Sequence, residues 1–448
     1  MNLTYNINDR PAPGQAILFA LQQLLAILAA TIAVPVIVGN GMSQTAALFG
    51  AGVGTLVYLI FTKFQSPVFL GSSFAFLGSM STAFAGAVSV QAGYLGLLLG
   101  AALAGLVYVL LAAVVRFVGT DWINHLMPPV VIGPTVSIIG LSLAGNAVSD
   151  LTTNGGDTTN PYVSIICGLV TLGVTVMCSA FGKKLTKMIP FILGILAGYA
   201  VAALFTLLGA VLDLPSLTVI DFSKLQNFSW VPDFTFLPAV SGLKDLTPSY
   251  VATIAVAYMP VAFVVFAEHI ADHKNLSTII DHDLLKTPGL HRTLLGDGVG
   301  SMIGAIFGGC PNTTYGESVG CVAISGNASI ITIVYTAVLA MLISFFAPFA
   351  AFLSSIPSCV MGGVCFALYG FIAVSGLNML QGVDLHDNRN LFVVSVILIA
   401  GVGGMTVRFG AFTITEVACA LILGIVTNIY LSAGKAEEDR EKKQNEQN

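Results

Sequence analysis

Apolar stretches about as long as a bilayer is thick recur from one end of this chain to the other. That recurrence restricts the fold more than any other feature. Runs such as Ala102 to Val115 and Leu391 to Gly404 carry no charge at all. A helix needs about 20 apolar residues to cross the hydrocarbon core, and in lipid its backbone groups must be satisfied within the segment. Of 448 residues, 56% are hydrophobic and only 9% charged, with a mean hydropathy of +0.90. A soluble domain carries about 25% charged residues. The chain therefore reads as an all-α polytopic membrane protein whose surroundings are the lipid bilayer. No basic stretch suggests a nucleic-acid partner.

Fourteen segments fit this pattern: 15–39, 44–62, 68–88, 91–117, 128–145, 160–181, 188–211, 249–271, 292–309, 313–326, 329–352, 357–378, 389–406 and 413–433. Segments three and ten begin in short, polar, extended-looking runs, Val68–Phe74 and Pro311–Gly316, and their apolar remainders are too short to cross alone. With both termini in the cytoplasm, fourteen of the seventeen Lys and Arg residues fall inside and only Lys224, Lys244 and Arg408 outside. This bias supports an even number of spans. The polar Met1–Gln15 has no pattern of a cleaved signal peptide. The seven cysteines lie mostly in apolar segments without paired spacing, which predicts packing roles, no structural disulfide and no zinc site. The charged tail from Lys435 to Asn448 is expected to be disordered.

Three motifs recur in order. Gly52-Val53-Gly54-Thr55 matches Gly298-Val299-Gly300-Ser301. Ser72-Ser73-Phe74-Ala75 matches Thr313-Thr314-Tyr315-Gly316. Pro128, Gly133 and Gly140 match Pro357, Gly362 and Gly370. The separations are 246, 241 and about 230 residues. Two repeats of seven spans must be inverted relative to one another, which is a secondary-transporter pattern. The interrupted segments three and ten occupy corresponding positions, and such breaks point to a midplane site where free helix N–H groups meet a ligand.

Acidic residues gather around those breaks. A carboxylate at the bilayer centre costs about 2.5–3.5 kcal/mol on insertion scales, so a cluster of them implies handling of a proton, an ion or a polar substrate. Glu268 and Asp272 are spaced to share one helix face and to compete for a proton. Asp272 could equally mark a solvated helix end. Glu317 follows the break in segment ten, where it either meets a ligand or caps a helix. Phe74 and Tyr315 are corresponding aromatics that either stack on a planar ligand or pack. Asp297, in Gly296-Asp297-Gly298, reads as a site or turn residue. His269, His282, His291 and His386 lack metal-ligand spacing and are expected in loop or surface roles. Glu416 reads as a helix-start residue.

These motifs resemble the nucleobase–ascorbate transporter family, and most nearly its bacterial uracil-transporting branch. The likeness runs from Leu21-Gln22-Gln23 through Gly71–Phe76 and Pro288–Arg292 to Pro311–Glu317 and Pro357–Gly363. It implies a core domain (1–126 and 248–355), a gate domain (127–247 and 356–434), and short antiparallel strands in spans three and ten meeting at the substrate. It further implies that Glu268 bonds a ring N–H and carries proton coupling, with Asp272 beside it. Glu317, with the backbone of Tyr315 and Gly316, would hold the opposite edge, and Phe74 and Ala30 would line the pocket. Asp272 stands where uracil-type members carry histidine, Ser318 where the family has asparagine, and Gln23 where relatives often have histidine. Asp297 resembles the purine branch. Asp297, Ser318 and Gln23 are therefore candidate specificity residues.

The expectation is a proton-coupled importer of a nucleobase, uracil first and xanthine or uric acid second, in the cell's inner membrane, with no cofactor other than the proton. Dimerisation through the gate is implied by the resemblance alone. An anion transporter of the same architecture would need a positive site, a metalloprotease would need His-Glu-x-x-His, and a channel fits tight carboxylate sites less well.

Overall fold

The computed structural model describes residues 3–152, 159–183, 185–225, 229–409 and 412–447. Helix starts follow local chemistry. α1 (Pro13–Val38) begins on a proline, and α2 (Gln44–Phe61) is capped by Ser43, whose side chain accepts from the Ala46 amide. Strand β1 (Leu70–Ser72) and a single 3-10 turn, Phe74–Phe76, lead into the short helix α3 (Leu77–Ala85). α4 (Val90–Val118) is capped by Ser89. Then come α5 (Asp121–Leu126), α6 (Pro129–Ser142), α7 (Ala144–Thr152), α8 (Pro161–Phe181), α9 (Leu185–Met188), α10 (Pro190–Leu212) and α11 (Phe236–Ser241).

The longest apolar helix, α12 (Pro248–Ile280), is capped by Thr247. It is followed by α13 (Leu290–Gly308), β2 (Asn312–Thr314) and α14 (Gly316–Ser325). Next are α15 (Ile330–Ile343), α16 (Ala347–Ser355), α17 (Ser358–Asn378) and α18 (Asn388–Val402). A hairpin of β3 (Val407–Phe409) and β4 (Phe412–Ile414) precedes α19 (Glu416–Gln447).

Among the described residues, eight helices are long and apolar enough to cross a membrane, or nine if α15 and α16, bent by 82°, make one span. The remaining expected segments fall short for separable reasons. Segments three and ten are split by β1 and β2. Segment nine, α13, carries His291, Arg292 and Asp297. Segment thirteen, α18, has only 15 helical residues, and the apolar part of segment fourteen, Glu416–Ser432, is also shorter than a full span. Two boundaries need correction. α12 continues nine residues past the expected end at Ala271, because His273, Leu276 and Ile280 still pack into the protein; it stops at Asp281 in a left-handed conformation. The charged tail expected to be disordered continues α19 as helical backbone to Gln447. Its Glu, Lys, Gln and Arg residues are good helix formers.

β1 and β2 pair antiparallel, Leu70 with Thr314, Gly71 with Thr313 and Ser72 with Asn312. The first amide of each strand is held by a hydroxyl from the helix before it. Thr55 Oγ1 accepts from Leu70 N at 2.9 Å, and Ser301 Oγ accepts from Asn312 N at 2.9 Å. Those two helices, α2 and α13, touch through glycine. A Cβ on Gly54 would come within 2.7 Å of the Gly300 carbonyl, and one on Gly300 within 2.7 Å of the Gly54 carbonyl.

Two helix groups result. In one, α13 packs on α2 and α4, α12 on α4, and α15 on α1 and α2. In the other, α8 packs on α10, α17 on α6, α7 and α8, and α18 on α6 and α19. The groups meet where α1 touches α10 and α17, and where α12 touches α6 and α19.

Candidate functional site

A cavity of about 350 Å³ opens where the two groups meet. One wall is acidic. Glu268 and Asp272 of α12 and Gly316 and Glu317 of α14 line it together. The i, i+4 spacing sets the two α12 carboxylates on the same helix face, as the sequence predicts. Asp272 sits well inside α12 rather than at its end, and its Oδ2 accepts from Thr314 Oγ1 of β2 at 2.8 Å. Glu317 lies in the first turn of α14, whose opening amides have no intrahelical acceptor. A carboxylate and free N–H groups thus face the same space. The opposite wall comes from the second group and is largely apolar: Val136, Pro190, Phe191, Phe371 and Ile372, with Lys187 and Ser375.

The other singled-out residues pack behind this wall rather than on it. Tyr315 is 4% exposed and donates from its hydroxyl to the Ser72 carbonyl at 2.8 Å, tying the start of α14 to β1. Phe74 packs edge-to-face on Tyr369 of α17, ring centroids 5.8 Å apart. Ala30 is buried within α1. Gln23 is buried and donates from Nε2 to Ser318 Oγ, which also accepts from the Phe69 amide at 3.0 Å. Gln23 and Ser318 therefore join α1, the approach to β1 and the first turn of α14.

Two expectations are corrected. Asp297 is no turn residue: it is 1% exposed in the middle of α13. His269 is no surface residue either. It is fully buried, and its Nδ1 lies 2.7 Å from Asp297 Oδ2 and its Nε2 3.0 Å from Thr293 Oγ1. One turn on, His273 stacks on it at 4.0 Å and bonds through Nε2 to the Tyr58 hydroxyl at 2.7 Å. α12 is thus two-faced, with Glu268 and Asp272 toward the cavity and His269 and His273 toward α13 and α2. The buried face was hard to find from sequence, since Asp297 lies 28 positions from its partner. The apolar wall from the second group carried no local signal.

Among the described residues, no group of three His, Cys, Asp or Glu is placed to hold a metal ion. The seven cysteines are unpaired. The carboxylates of the acidic wall favour a ligand that presents N–H groups to them, since an ionised carboxylate only accepts.

The model of the Permease family, Xan_ur_permease, matches residues 14–409. The uracil permease of Bacillus subtilis (strain 168) is 39% identical over 442 residues, covering 96% of each chain. The uracil permease of Bacillus caldolyticus is 39% identical over 431 residues, covering 95% of this chain and 94% of its own. In fold, the transmembrane domain of the cyanobacterium bicarbonate transporter BicA aligns over 95% of this chain and all of its own, with a TM-score of 0.64 at 14% identity.

Proposed function

This chain belongs to the nucleobase–ascorbate transporter family, and we propose from that premise that it is a proton-coupled importer of a nucleobase, uracil first. It is a multi-pass membrane protein and a transporter. The observation that carries the substrate class is the acidic wall: Glu268, Asp272 and Glu317 converge with the first turn of α14 on one cavity. Carboxylates accept from the N–H groups of an imide-like ring, and the amides at the start of α14 donate to its carbonyl oxygens. The apolar wall with Phe191 and Phe371 covers the ring faces. Relatives that are uracil permeases over nearly their whole length support uracil over other bases.

In this reading Glu268 binds a ring N–H and carries the coupled proton, with Asp272 sharing it. Glu317 and Gly316 hold the opposite edge. Tyr315, Phe74 and Ala30 form the packed layer behind them; Gln23 and Ser318 tune selectivity through that layer, and Asp297 does so through His269 on the far face of α12. Fourteen spans in two inverted repeats fit the matched pairs: β1 lies on β2, α2 on α13, and Thr55 and Ser301 perform the same task. Such pairing is what a two-fold axis in the membrane plane requires. The group containing α12 to α14 is the core, the group containing α6 and α17 the gate, and rocking one on the other alternates access. The cavity mouth, with Lys187 and Asn275, then faces the cytoplasm together with both termini. Two copies pair through the gate.

The test is uptake of labelled uracil in cells lacking their own permease, with xanthine as competitor and a protonophore as control. Protonophore-sensitive uracil uptake that excess xanthine leaves intact supports the reading. Xanthine entry without uracil entry overturns the choice of base.

A further inference from the structure

Glu416 is an acidic residue beside an apolar stretch for which the transport reaction proposed above has no use. It is the first residue of α19 and lies on the seam between the two helix groups. A Cβ built on Gly78 of α3 would lie 3.8 Å from Glu416 Oε1 and 3.8 Å from the Thr415 methyl. The carboxylate therefore reaches across the seam to a position where the facing helix has no side chain. Thr415 and Glu416 line a space of about 10 Å³ together with Phe74 and Gly78 on one side and Ser142 of α6 on the other. That is close to the smallest space that holds one water.

Thr415, which lines this space, is only 6% exposed, and its Oγ1 has no hydrogen-bond partner. Buried hydroxyls are ordinarily paired, so an unpaired one is free to accept from or donate to a polar ligand. Beside this space the seam is shut by Phe74 on Tyr369. From Gly78, α3 runs to the N-terminal end of α12, where the Tyr250 hydroxyl donates to the Ala83 carbonyl at 2.6 Å. The open cavity lies toward the other end of α12, at Asn275. The Glu416 space and the open cavity are thus on opposite sides of the broken helices.

We propose that Glu416 and Thr415 form a second polar station for the same nucleobase, which receives the N–H edge of the ring when the seam parts toward the membrane face opposite the open cavity. A carboxylate and a hydroxyl side by side supply acceptors for an imide-like ring, the same chemistry as the acidic wall. The space of about 10 Å³ must widen to admit the ring; Gly78 presents no side chain against it as the seam parts, and Phe74 separates the two stations. This inference rests on the nucleobase-transport reading and adds a route to it.

The test is sided transport. Right-side-out and inside-out membrane vesicles from cells lacking their own permease carry the full-length wild-type chain or Glu416→Gln, Glu416→Asp or Thr415→Val. Uptake of labelled uracil is measured from each face, or of labelled xanthine if that is what the wild type carries. Glu416→Gln is expected to raise KM about tenfold from the outer face and to leave KM from the cytoplasmic face unchanged, because a charged acceptor becomes a neutral, weaker one. Glu416→Asp restores the outer KM, and Thr415→Val raises it less. An unchanged outer KM, or equal rises from both faces, overturns the inference while leaving the transport reading intact. A wild-type chain that carries neither base overturns both. If Glu416→Gln does not reach the membrane, the contrast between Glu416→Asp and Thr415→Val carries the same test.

Discussion

Glu268 and Glu317 line one cavity, and the different roles proposed for them are separated by single substitutions. Glu317→Ala removes a charged acceptor and is expected to weaken uracil binding by about 1.5–3 kcal/mol, roughly tenfold to a hundredfold. Equilibrium binding to purified protein measures this, and unchanged affinity would exclude Glu317 from the site. His269→Leu leaves the Asp297 carboxylate buried without its partner. It is expected to cost about 3 kcal/mol of stability, read as a lowered unfolding temperature. Much of this scale is legible in the sequence. Carboxylates placed in apolar stretches stand out by their cost, and the spacing of Glu268 and Asp272 fixes their shared face. Burial of His269 is not legible, because its partner is far along the chain. Nor is the retreat of Phe74 and Tyr315 behind the cavity wall, because an aromatic at a helix break has the same local signal whether it stacks on a ligand or on a neighbour.

At the scale of elements, two three-residue strands hold the acidic wall in place. Their lengths are too short to be stable alone, so the helices beside them carry the burden. Thr55→Val with Ser301→Ala leaves the first amides of both strands unpaired at about 1–3 kcal/mol each. The double variant is expected to raise KM for uracil more than it lowers the amount of protein in the membrane. A fall in both by the same factor would assign the hydroxyls to folding alone. Gly54 lies where a Cβ would meet Asn312 Nδ2 at 2.5 Å and the Gly300 carbonyl at 2.7 Å. Gly54→Ala is expected to cost about 1–3 kcal/mol through overpacking, seen as reduced thermal stability. The breaks in segments three and ten are visible in sequence because polar, extended residues interrupt apolar runs. The extra nine residues of α12 are not, because His273 and Lys274 read as a solvated end until the partners of His273 are known. The β3–β4 pairing also goes unread, because Val407–Phe409 and Phe412 fall in the expected connection between segments thirteen and fourteen.

At the scale of the molecule, two groups of helices meet along a seam, and the proposed alternating access requires them to move. Tyr199 of α10 and Ser355 of α16, which the proposed division places in gate and core, hydrogen-bond hydroxyl to hydroxyl at 2.8 Å. Cysteines at these positions joined by a short bifunctional thiol reagent are expected to stop uptake without preventing binding from the cavity side. Full uptake after complete cross-linking would rule out motion at this seam. Composition reads the membrane class directly, since it follows from bilayer thickness; the proposed repeat rests instead on three short motif pairs. Which helices group together depends on glycine contacts such as Gly54 on Gly300, and these appear only when the segments are placed side by side.

The account turns on proton coupling through Glu268, and it is tested by following protons and uracil together in proteoliposomes loaded with a pH-sensitive dye. Uracil added to wild-type vesicles is expected to carry protons inward and to accumulate when an inward proton gradient is imposed. Glu268→Gln is expected to abolish both. Accumulation by Glu268→Gln that still follows the imposed proton gradient would contradict the account.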